Sequence, residues 1–152
     1  MEGTGPSVVH VNDVVNYWSS RPLPNWEKEG KIQAPRVCLA KLISNIEVDE
    51  VNRYLLDKKP WSRPGSSWFL HKGDYDFTMV PLISICYLFE GKQDILHENT
   101  RDHILKKLIS LDDRPGNGKV PNTLGLVPET ENHILMMEST RYLKFLLLDR
   151  SR

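Results

Sequence analysis

The sequence predicts an all-α protein made of helical hairpins that form a ring or a curved array. Apolar residues recur at helical spacing along almost the whole chain, and no pair of segments shows the period-two alternation of strands. Strongly apolar helices alternate with amphipathic ones, as expected where inner helices are covered on both sides and outer helices face water. A length of 152 residues with 39% hydrophobic residues suits one domain with its own core.

The first half of the chain predicts three helices. A short amphipathic helix containing Val14 and Trp18 is ended by the proline-rich stretch RPLP. Pro35 suits the first turn of a second, mostly apolar helix, and a third helix has Val48 and Leu55 on one side. The second and third helices are close enough in sequence to form a hairpin. The segment KPWSRPGSSWFLHKGDYDF that follows is predicted to be a loop.

The second half predicts two buried helices with an amphipathic helix between them. Residues 78–90 are apolar on nearly every side, with Thr78 as N-cap and Pro81 in the tolerated first turn. The next helix has one apolar stripe and one basic side, so we expect it at the periphery. The last helix, over residues 130–148, is again apolar on several faces. We therefore expect residues 79–89 and 134–147 to be more buried than residues 100–111.

Charge and hydropathy exclude several classes of partner. Twenty basic residues balance 20 acidic ones and no long run of like charge occurs, so no general affinity for nucleic acid is expected. The longest apolar stretch, MVPLISICYLF, is far shorter than the roughly 20 residues of a membrane helix, so no membrane span is expected. The first residues lack the basic start and apolar run of a secretory signal peptide, and the residues alone leave the localisation open.

Two motifs that suggest a bound cofactor have the wrong spacing. HENTRDH places Arg101 where a zinc metalloprotease motif needs a histidine one helical turn after His97. RPGNGK lacks the full phosphate-loop spacing and the following Ser or Thr, so it is interpreted as a turn. The sequence therefore predicts no metal and no cofactor. Cys38 and Cys86 lie in apolar helical patterns and are expected to be buried free thiols.

Two aspartates precede the apolar helix over residues 79–89. In GDYDF, Asp74 and Asp76 lie where a carboxylate is favoured by the exposed amides and the positive end of the helix dipole. N-capping accounts for one of them. The alternative is a carboxylate that is presented to a ligand, and both interpretations stay open.

The start of the last helix has more polar groups than capping needs. The run ETENH contains Glu129, Glu131, Asn132 and His133, while Thr130 alone supplies an N-cap. Successive residues of a helical turn point about 100° apart, so at least one of these side chains faces whatever the open end of the helix faces. Asn can donate to an anion, and neutral imidazole can accept a proton near neutral pH. A catalytic pair is therefore the alternative to a simple polar helix start.

These segments resemble part of a known group of proteins. PETENHILMMESTRYL at residues 128–143 and GDYDFTMVPLISICYLFEGKQDILHENTRDHILKKLI at residues 73–109 look like segments of large helical-toroid proteins. That group is related to the six-hairpin glycosidases and to the alginate, hyaluronate and heparin type polysaccharide lyases. The resemblance implies an (α/α) toroid whose inner helices present residues at one rim to a sugar chain. It also implies that Asn132 neutralises a uronate carboxylate, that His133 abstracts the sugar proton, and that the protein is secreted or periplasmic.

The expected function is therefore action on a polysaccharide or oligosaccharide by elimination or hydrolysis. The expected catalytic residues are Asn132, His133, Asp76 and Glu131, and the expected substrate-binding residues are Trp61, Trp68, Asp74 and Glu129. Aromatic rings suit the apolar C–H faces of sugars, although a loop tryptophan also suits a plug over the core.

The chain is too short to form a complete toroid of the kind that the resemblance implies. A closed six-hairpin toroid needs far more than 152 residues, so residues 1–152 are predicted to be a single helical domain that is part of a larger toroid.

The alternative function is a non-catalytic helical scaffold or protein-interaction domain, in which the polar groups are all helix caps. Convergence of Asp76, Asn132 and His133 on one concavity would distinguish the two functions, because caps would scatter.

Overall fold

The computed structural model describes residues 10–26, 33–59, 75–109 and 131–150, without the side chains of residues 75, 76, 131–134 and 137. The helices are α1 (Val11–Ser19), α2 (Gln33–Ile43), α3 (Val48–Leu56), α4 (Tyr75–Leu88), α5 (Glu98–His103) and α6 (Glu131–Asp149), and α5 continues as a π-helical segment over Ile104–Leu108. No strand occurs within these described ranges. The predicted all-α class is confirmed.

Helices α2 and α3 form a hairpin through the short turn at residues 44–47. Asn45 has a left-handed φ of 55°. The Ile46 amide donates to the Lys41 carbonyl at 2.9 Å, and the Asn45 amide donates to the Leu42 carbonyl at 3.2 Å. These are the two hydrogen bonds of a Schellman helix end, in which Asn is one of the residues that tolerate a positive φ. The turn reverses the chain, so α3 runs antiparallel to α2.

A buried lysine fastens α1 to this hairpin. Lys41 is only 2% exposed, although it lies in the last turn of α2. Its ammonium donates to the carbonyl of Ser19 at 3.0 Å and lies 2.9 Å from the carboxylate of Glu47. A buried charge is tolerated only where it is paired and hydrogen-bonded, and both conditions hold here. The same residue thus joins the end of α1 to the turn between α2 and α3.

Helices α3 and α5 run in the same direction. The buried side-chain amide of Asn52 donates to the carbonyl of Ile95 at 2.9 Å, and its oxygen accepts from the amide of His97 at 3.0 Å. Further along, the His103 ring lies in hydrogen-bond contact with the Lys58 carbonyl at 2.9 Å. Residue numbers increase together on the two helices, so they are parallel neighbours.

Helix α6 is parallel to α4. The Tyr87 hydroxyl donates to the Leu143 carbonyl at 3.2 Å, and the Glu90 carboxylate just beyond α4 lies 3.4 Å from the Arg150 guanidinium just beyond α6. Both contacts join the C-terminal half of one helix to the C-terminal half of the other. The two helices therefore end at the same side of the molecule.

Helix α6 is antiparallel to α5. The Arg101 guanidinium in α5 donates to the Leu147 carbonyl at 3.3 Å, whereas the Lys144 ammonium donates to the Ile109 carbonyl after the π-helical segment at 2.8 Å. Residue numbers thus increase along α5 and its π-helical extension where they decrease along α6, so the two run in opposite directions. Both donors satisfy carbonyls near helix ends, where intrahelical partners are lacking.

These directions define two layers of parallel helices. Helix α4 contacts both α2 and α6, and α3 contacts α5. Because α2 is antiparallel to α3, and α5 is antiparallel to α6, the layer α2–α4–α6 points one way and the layer α3–α5 points the other way. The described part of the chain is therefore an array of helical hairpins, as the alternation of apolar and amphipathic helices predicted.

The core lies between the two layers. The wide turn after α5 is closed by a hydrogen bond from the Ile109 amide to the Ile104 carbonyl at 2.8 Å, five residues back, which is the π-helical pattern. It brings four apolar side chains into the core, each at most 2% exposed: Ile104, Leu105, Leu108 and Ile109. The predicted apolar stripe is thus confirmed, and Lys106 and Lys107 face solvent as expected.

Two predictions about helix ends and burial are wrong. Helix α4 begins at Tyr75, so Thr78 is not its cap and Pro81 lies inside it. Pro81 is buried, and apolar packing there offsets the hydrogen bond that its ring nitrogen cannot donate. Residues 134–147 are also less buried than the described part of 100–111, because Leu135 and Tyr142 of α6 are 66% and 65% exposed.

The exposure of α6 has a simple physical reason. The helix packs on α4 and α5 along one side, where Thr140 and Leu147 are 1% and 0% exposed, and no other described element covers its remaining surface. A helix that is apolar on several faces gives the same sequence pattern whether those faces meet the same chain or another molecule. Sequence periodicity therefore could not separate these cases.

The hydrogen bonds of Asn52 are expected to contribute to the stability of the fold. We expect Asn52→Ala to lower the free energy of unfolding by about 2–3 kcal/mol, because it removes two hydrogen bonds between α3 and the start of α5 and leaves their partners unpaired. Urea unfolding measures the change. Arg53→Ala, at an exposed position on the same helix, is the control and should cost less than about 0.5 kcal/mol. Equal losses in the two variants would contradict the proposed importance of Asn52.

The two cysteines are free and buried, as predicted. Burial raises the pKa of the Cys86 thiol from 9.0 to about 12 and raises the pKa of Cys38 in the same direction. Unfolded thiols ionise as the pH rises through their ordinary pKa, while the folded thiols keep their protons. The contribution of the two thiols to the free energy of unfolding is therefore fully present below about pH 9. Above that pH the free energy of unfolding should fall by about 1.4 kcal/mol per pH unit for each thiol.

Urea unfolding between pH 8 and pH 10 tests this pH dependence. We expect the free energy of unfolding to fall less steeply in the Cys38→Ala, Cys86→Ala double variant than in the unmodified chain, because the two thiols no longer ionise on unfolding. An identical slope in both chains would show that the thiols do not cause the loss.

Candidate functional site

The directions of the two layers bring several helix ends to one side of the molecule, which we call the N-terminal rim. It consists of the first turns of α2, α4 and α6 together with the last turns of α3 and of the π-helical segment. The helix amides at the starts of α2, α4 and α6 give this side partial positive charge, because the first turn of a helix has amides without intrahelical partners.

The first turns of α4 and α6 lie at the same end of the molecule. Tyr87 contacts Leu143 and Glu90 contacts Arg150, so residue numbers increase in the same direction along both helices. Asp76 and Asn132 are both in first turns, so their backbones lie at this common end. The residues that the sequence singled out on two separate helices are thus placed at one rim.

Of the eight predicted site residues, the structure describes four, and it describes those four by their backbone alone. Asp76, Glu131, Asn132 and His133 lie in the first turns of α4 and α6, where the structure describes their backbone but not their side chains. The other four predicted residues lie outside the described residues: Trp61, Trp68, Asp74 and Glu129. Convergence of the side chains stays a prediction, while the common direction of the two helices is a property of the fold.

A surface cleft of about 330 Å³ opens where α3 ends, and it is lined by Pro24, Asn25, Trp26, Asp57, Lys58 and Lys59. Its wall is held by Tyr54, whose hydroxyl donates to the Pro24 carbonyl at 2.8 Å and whose ring meets the Trp26 ring edge-on at 6.3 Å between centroids. Trp26 is 4% exposed, so its indole is part of the packing and offers little ring surface to a ligand.

The charged lining of this cleft favours polar or anionic ligands. The Lys58 ammonium lies 4.2 Å from the centre of the Tyr54 ring, and Lys59 is exposed. Asp57 adds one carboxylate. Sequence reasoning missed this cleft, because its residues come from two distant segments and form no motif. The only local signal was the concentration of Asp and Lys at the end of α3.

The buried thiols do not add a nucleophile to the rim. Burial raises the pKa of Cys86 to about 12, and it raises the pKa of Cys38 as well, so both remain protonated at neutral pH. In the described ranges, no three His, Cys, Asp or Glu side chains come close enough together to hold a metal ion.

Comparison of the chain with protein-family models, curated proteins and solved structures finds no match. None of the helices in the described part of the chain has the length and apolar content that crossing a bilayer requires. The resemblance to helical-toroid proteins therefore rests on the two sequence segments given above.

The parallel direction of α4 and α6 can be tested with spin labels. We expect labels at Asp76→Cys and His133→Cys to be much closer together than labels at Asp76→Cys and Asp149→Cys, because His133 and Asp149 are separated by about 24 Å of helix. Double electron–electron resonance gives both distances, and the native thiols are buried and protonated, so they should not take up label. A shorter distance for the pair with Asp149 would mean that α4 and α6 are antiparallel.

Proposed function

We propose that this chain is a segment of a carbohydrate-active (α/α) toroid protein, which acts on a polysaccharide or oligosaccharide at the N-terminal rim by elimination or hydrolysis. The observation that supports this function best is the parallel pairing of α4 and α6. It places the first turn of α4, which contains Asp76, and the first turn of α6, which contains Asn132 and His133, at the same end of the molecule. Asn132 and His133 are the residues that resemble rim residues of toroid proteins.

The layered fold adds a second line of support. In a toroid the inner helices are parallel to one another and are joined through outer helices of opposite direction. The layers α2–α4–α6 and α3–α5 have these relative directions. The N-terminal rim would then be the side at which inner helices meet a sugar chain. The cleft with Lys58 and Lys59 opens at this rim and would suit the hydroxyl and carboxylate groups of sugars.

Elimination on a uronate would use the pair in α6. The side-chain amide of Asn132 would donate to the sugar carboxylate and stabilise the negative charge that develops when the neighbouring C5 proton leaves. Neutral His133 would accept that proton, the electron pair of the C5–H bond would form the C4–C5 double bond, and the electron pair of the C4–O bond would leave with the oxygen. The departing oxygen would take up a proton from the protonated His133 or from water, which restores the neutral histidine directly or by loss of its proton to solvent, so that atoms and charge balance.

Hydrolysis would instead use the carboxyl groups at the two helix starts. One of Asp76 and Glu131 would protonate the leaving glycosidic oxygen, and the other would act on water or on the sugar carbon. The separation of the two carboxyl groups would decide between retention and inversion of configuration. The two chemistries differ in product, since only elimination creates a C=C bond that absorbs in the ultraviolet.

Substitution of the α6 pair tests the proposal. We expect His133→Ala and Asn132→Ala in the full chain to lower turnover of a polysaccharide by roughly 10²- to 10⁴-fold, because a general base and a charge-stabilising donor would be lost. Product release from acidic and neutral polysaccharides is the assay, with ultraviolet absorbance to detect elimination. Thermal unfolding of each variant separates a catalytic loss from a folding defect.

His97→Ala is the matched control. It removes an imidazole at the start of α5, at the end of the array opposite the N-terminal rim, where the ring is 3.4 Å from the Asp49 carboxylate. Turnover should stay within about twofold of the unmodified chain, since this histidine is remote from the rim. Full activity of His133→Ala on a substrate that the unmodified chain cleaves would refute the catalytic assignment.

A non-catalytic helical scaffold or protein-interaction domain is the second candidate. It is favoured by the exposed apolar residues of α6, since Leu135, Tyr142 and Phe145 are 66%, 65% and 61% exposed. Exposed apolar patches of this kind are typical of protein–protein contacts. No turnover of any tested polysaccharide by the unmodified chain would favour this candidate over the enzyme.

A further inference from the structure

The cleft at the end of α3 is bordered by ammonium groups. Lys58 and Lys59 follow the C-cap of α3, which is Asp57, and all three residues line the cleft. The Lys58 ammonium is held 4.2 Å from the centre of the Tyr54 ring, and Lys59 is exposed. The lining of this hollow of about 330 Å³ thus combines two ammonium groups with one carboxylate.

A third lysine comes to the same place from a second element. The His103 ring contacts the Lys58 carbonyl at 2.9 Å, so the side of α5 that contains His103 faces the end of α3. Lys107 follows His103 by four residues, and residues at this spacing lie on one side of a helical segment, about one turn apart. Because α3 and α5 are parallel, Lys107 lies just beyond the level of Lys58, on the side where the chain continues to Lys59. We call Lys58, Lys59 and Lys107 the lysine cluster.

The positive charge of the lysine cluster is not neutralised by the described residues. Among them, no carboxylate lies within ion-pair distance of any of the three ammonium groups, although Asp57 lines the same cleft. The neighbouring Lys106, in contrast, is paired with Asp102. The chain as a whole has a formal net charge of zero, so this excess of positive charge is local.

The helix dipole accounts for part of this charge. The C-terminal end of a helix is equivalent to about half a negative charge, so one lysine at the end of α3 and one at the end of the π-helical segment would offset it. Lys58 and Lys106 already provide these two. Lys59 and Lys107 therefore exceed what the two helix ends need.

We propose that the lysine cluster binds a compact, multiply charged oxyanion, which is the phosphate group of a small compound or the sulfate group of an acidic sugar. Such groups have several acceptor oxygens, and each ammonium has three donors on a flexible stem, so lysines from two elements can contact one anion. A hollow of about 330 Å³ has room for a small organic ligand that contains the anion. This site is separate from the proposed turnover of a polysaccharide, because a helical scaffold could bind the same ligand.

Isothermal titration calorimetry at low ionic strength tests binding without turnover. We expect inorganic pyrophosphate to bind at one site per chain and to bind more weakly as sodium chloride is added, because the ammonium groups are exposed to screening. Glucose 6-phosphate and glucose 6-sulfate then distinguish the two sources of the anion by which of them binds more tightly. Uncharged glucose is the reference, and glucose that binds as tightly as both esters would refute an oxyanion site.

Neutral substitution of the lysines tests the composition of the site. We expect Lys59→Gln and Lys107→Gln each to raise the Kd for pyrophosphate at least about threefold, because each removes one ammonium group and keeps most of the side chain. Both positions are exposed, so the chain should stay folded. Lys92→Gln, at an exposed position beyond the other end of α4, makes the same change in net charge and should leave the Kd nearly unchanged. An unchanged Kd in Lys107→Gln would refute a site built from two elements.

Removal of the carboxylate in the cleft gives the opposite result. We expect Asp57→Asn to lower the Kd for pyrophosphate at least about twofold, because the negative charge nearest the anion is lost. Asp94→Asn, at an exposed position on the opposite side of the molecule, is the control with the same change in net charge. Equal effects of the two substitutions would show a response to overall charge and would overturn the site. Absence of binding heat from pyrophosphate at millimolar concentration would overturn it as well.

Discussion

The side-chain amide of Asn52 sets the alignment on which the rest of the array depends. It donates to the carbonyls of Val48 and Ile95, both at 2.9 Å, and accepts from the His97 amide at 3.0 Å. One residue thereby links its own helix to the segment that leads into α5. Because a buried amide is costly unless it is hydrogen-bonded, alternative alignments of α3 and α5 would leave this group unpaired. Parallel α3 and α5 in turn fix the common direction of α2 and α4.

This common direction is what gives the molecule one functional side. The starts of α2, α4 and α6 lie together, and the charged cleft at the end of α3 opens at the same rim. The opposite side holds the tight turn after α2, in which Lys41 and Glu47 pair. The two sides thus differ in chemistry. One has the first turns of three helices and the lysines of the cleft, and the other is closed by a short turn in which the buried Lys41 pairs with the exposed Glu47.

Helix α6 contains two regions of different character. Its first turn contains the expected catalytic pair, and its outer face has the exposed apolar side chains of Leu135, Tyr142 and Phe145. The catalytic pair and Tyr142 are about 13–15 Å apart along the helix, since each residue adds about 1.5 Å. Residues in contact along one helix often interact energetically, but sites separated by this distance are expected to behave independently.

The sequence by itself determined the helical class, the hairpin of α2 and α3, the apolar stripe of residues 104–109 and the burial of both thiols. These features depend on periodicity and on short-range turn chemistry, which a linear pattern contains. It misplaced the start of α4, because Asp and Thr both suit a helix cap and the sequence places a proline where only the first turn normally tolerates one. It also mistook α6 for an enclosed helix. Only the tertiary structure decided which faces of α6 are covered and which helix starts are neighbours, because both depend on contacts between residues far apart in the chain, such as Tyr87 with Leu143 and Asn52 with Ile95.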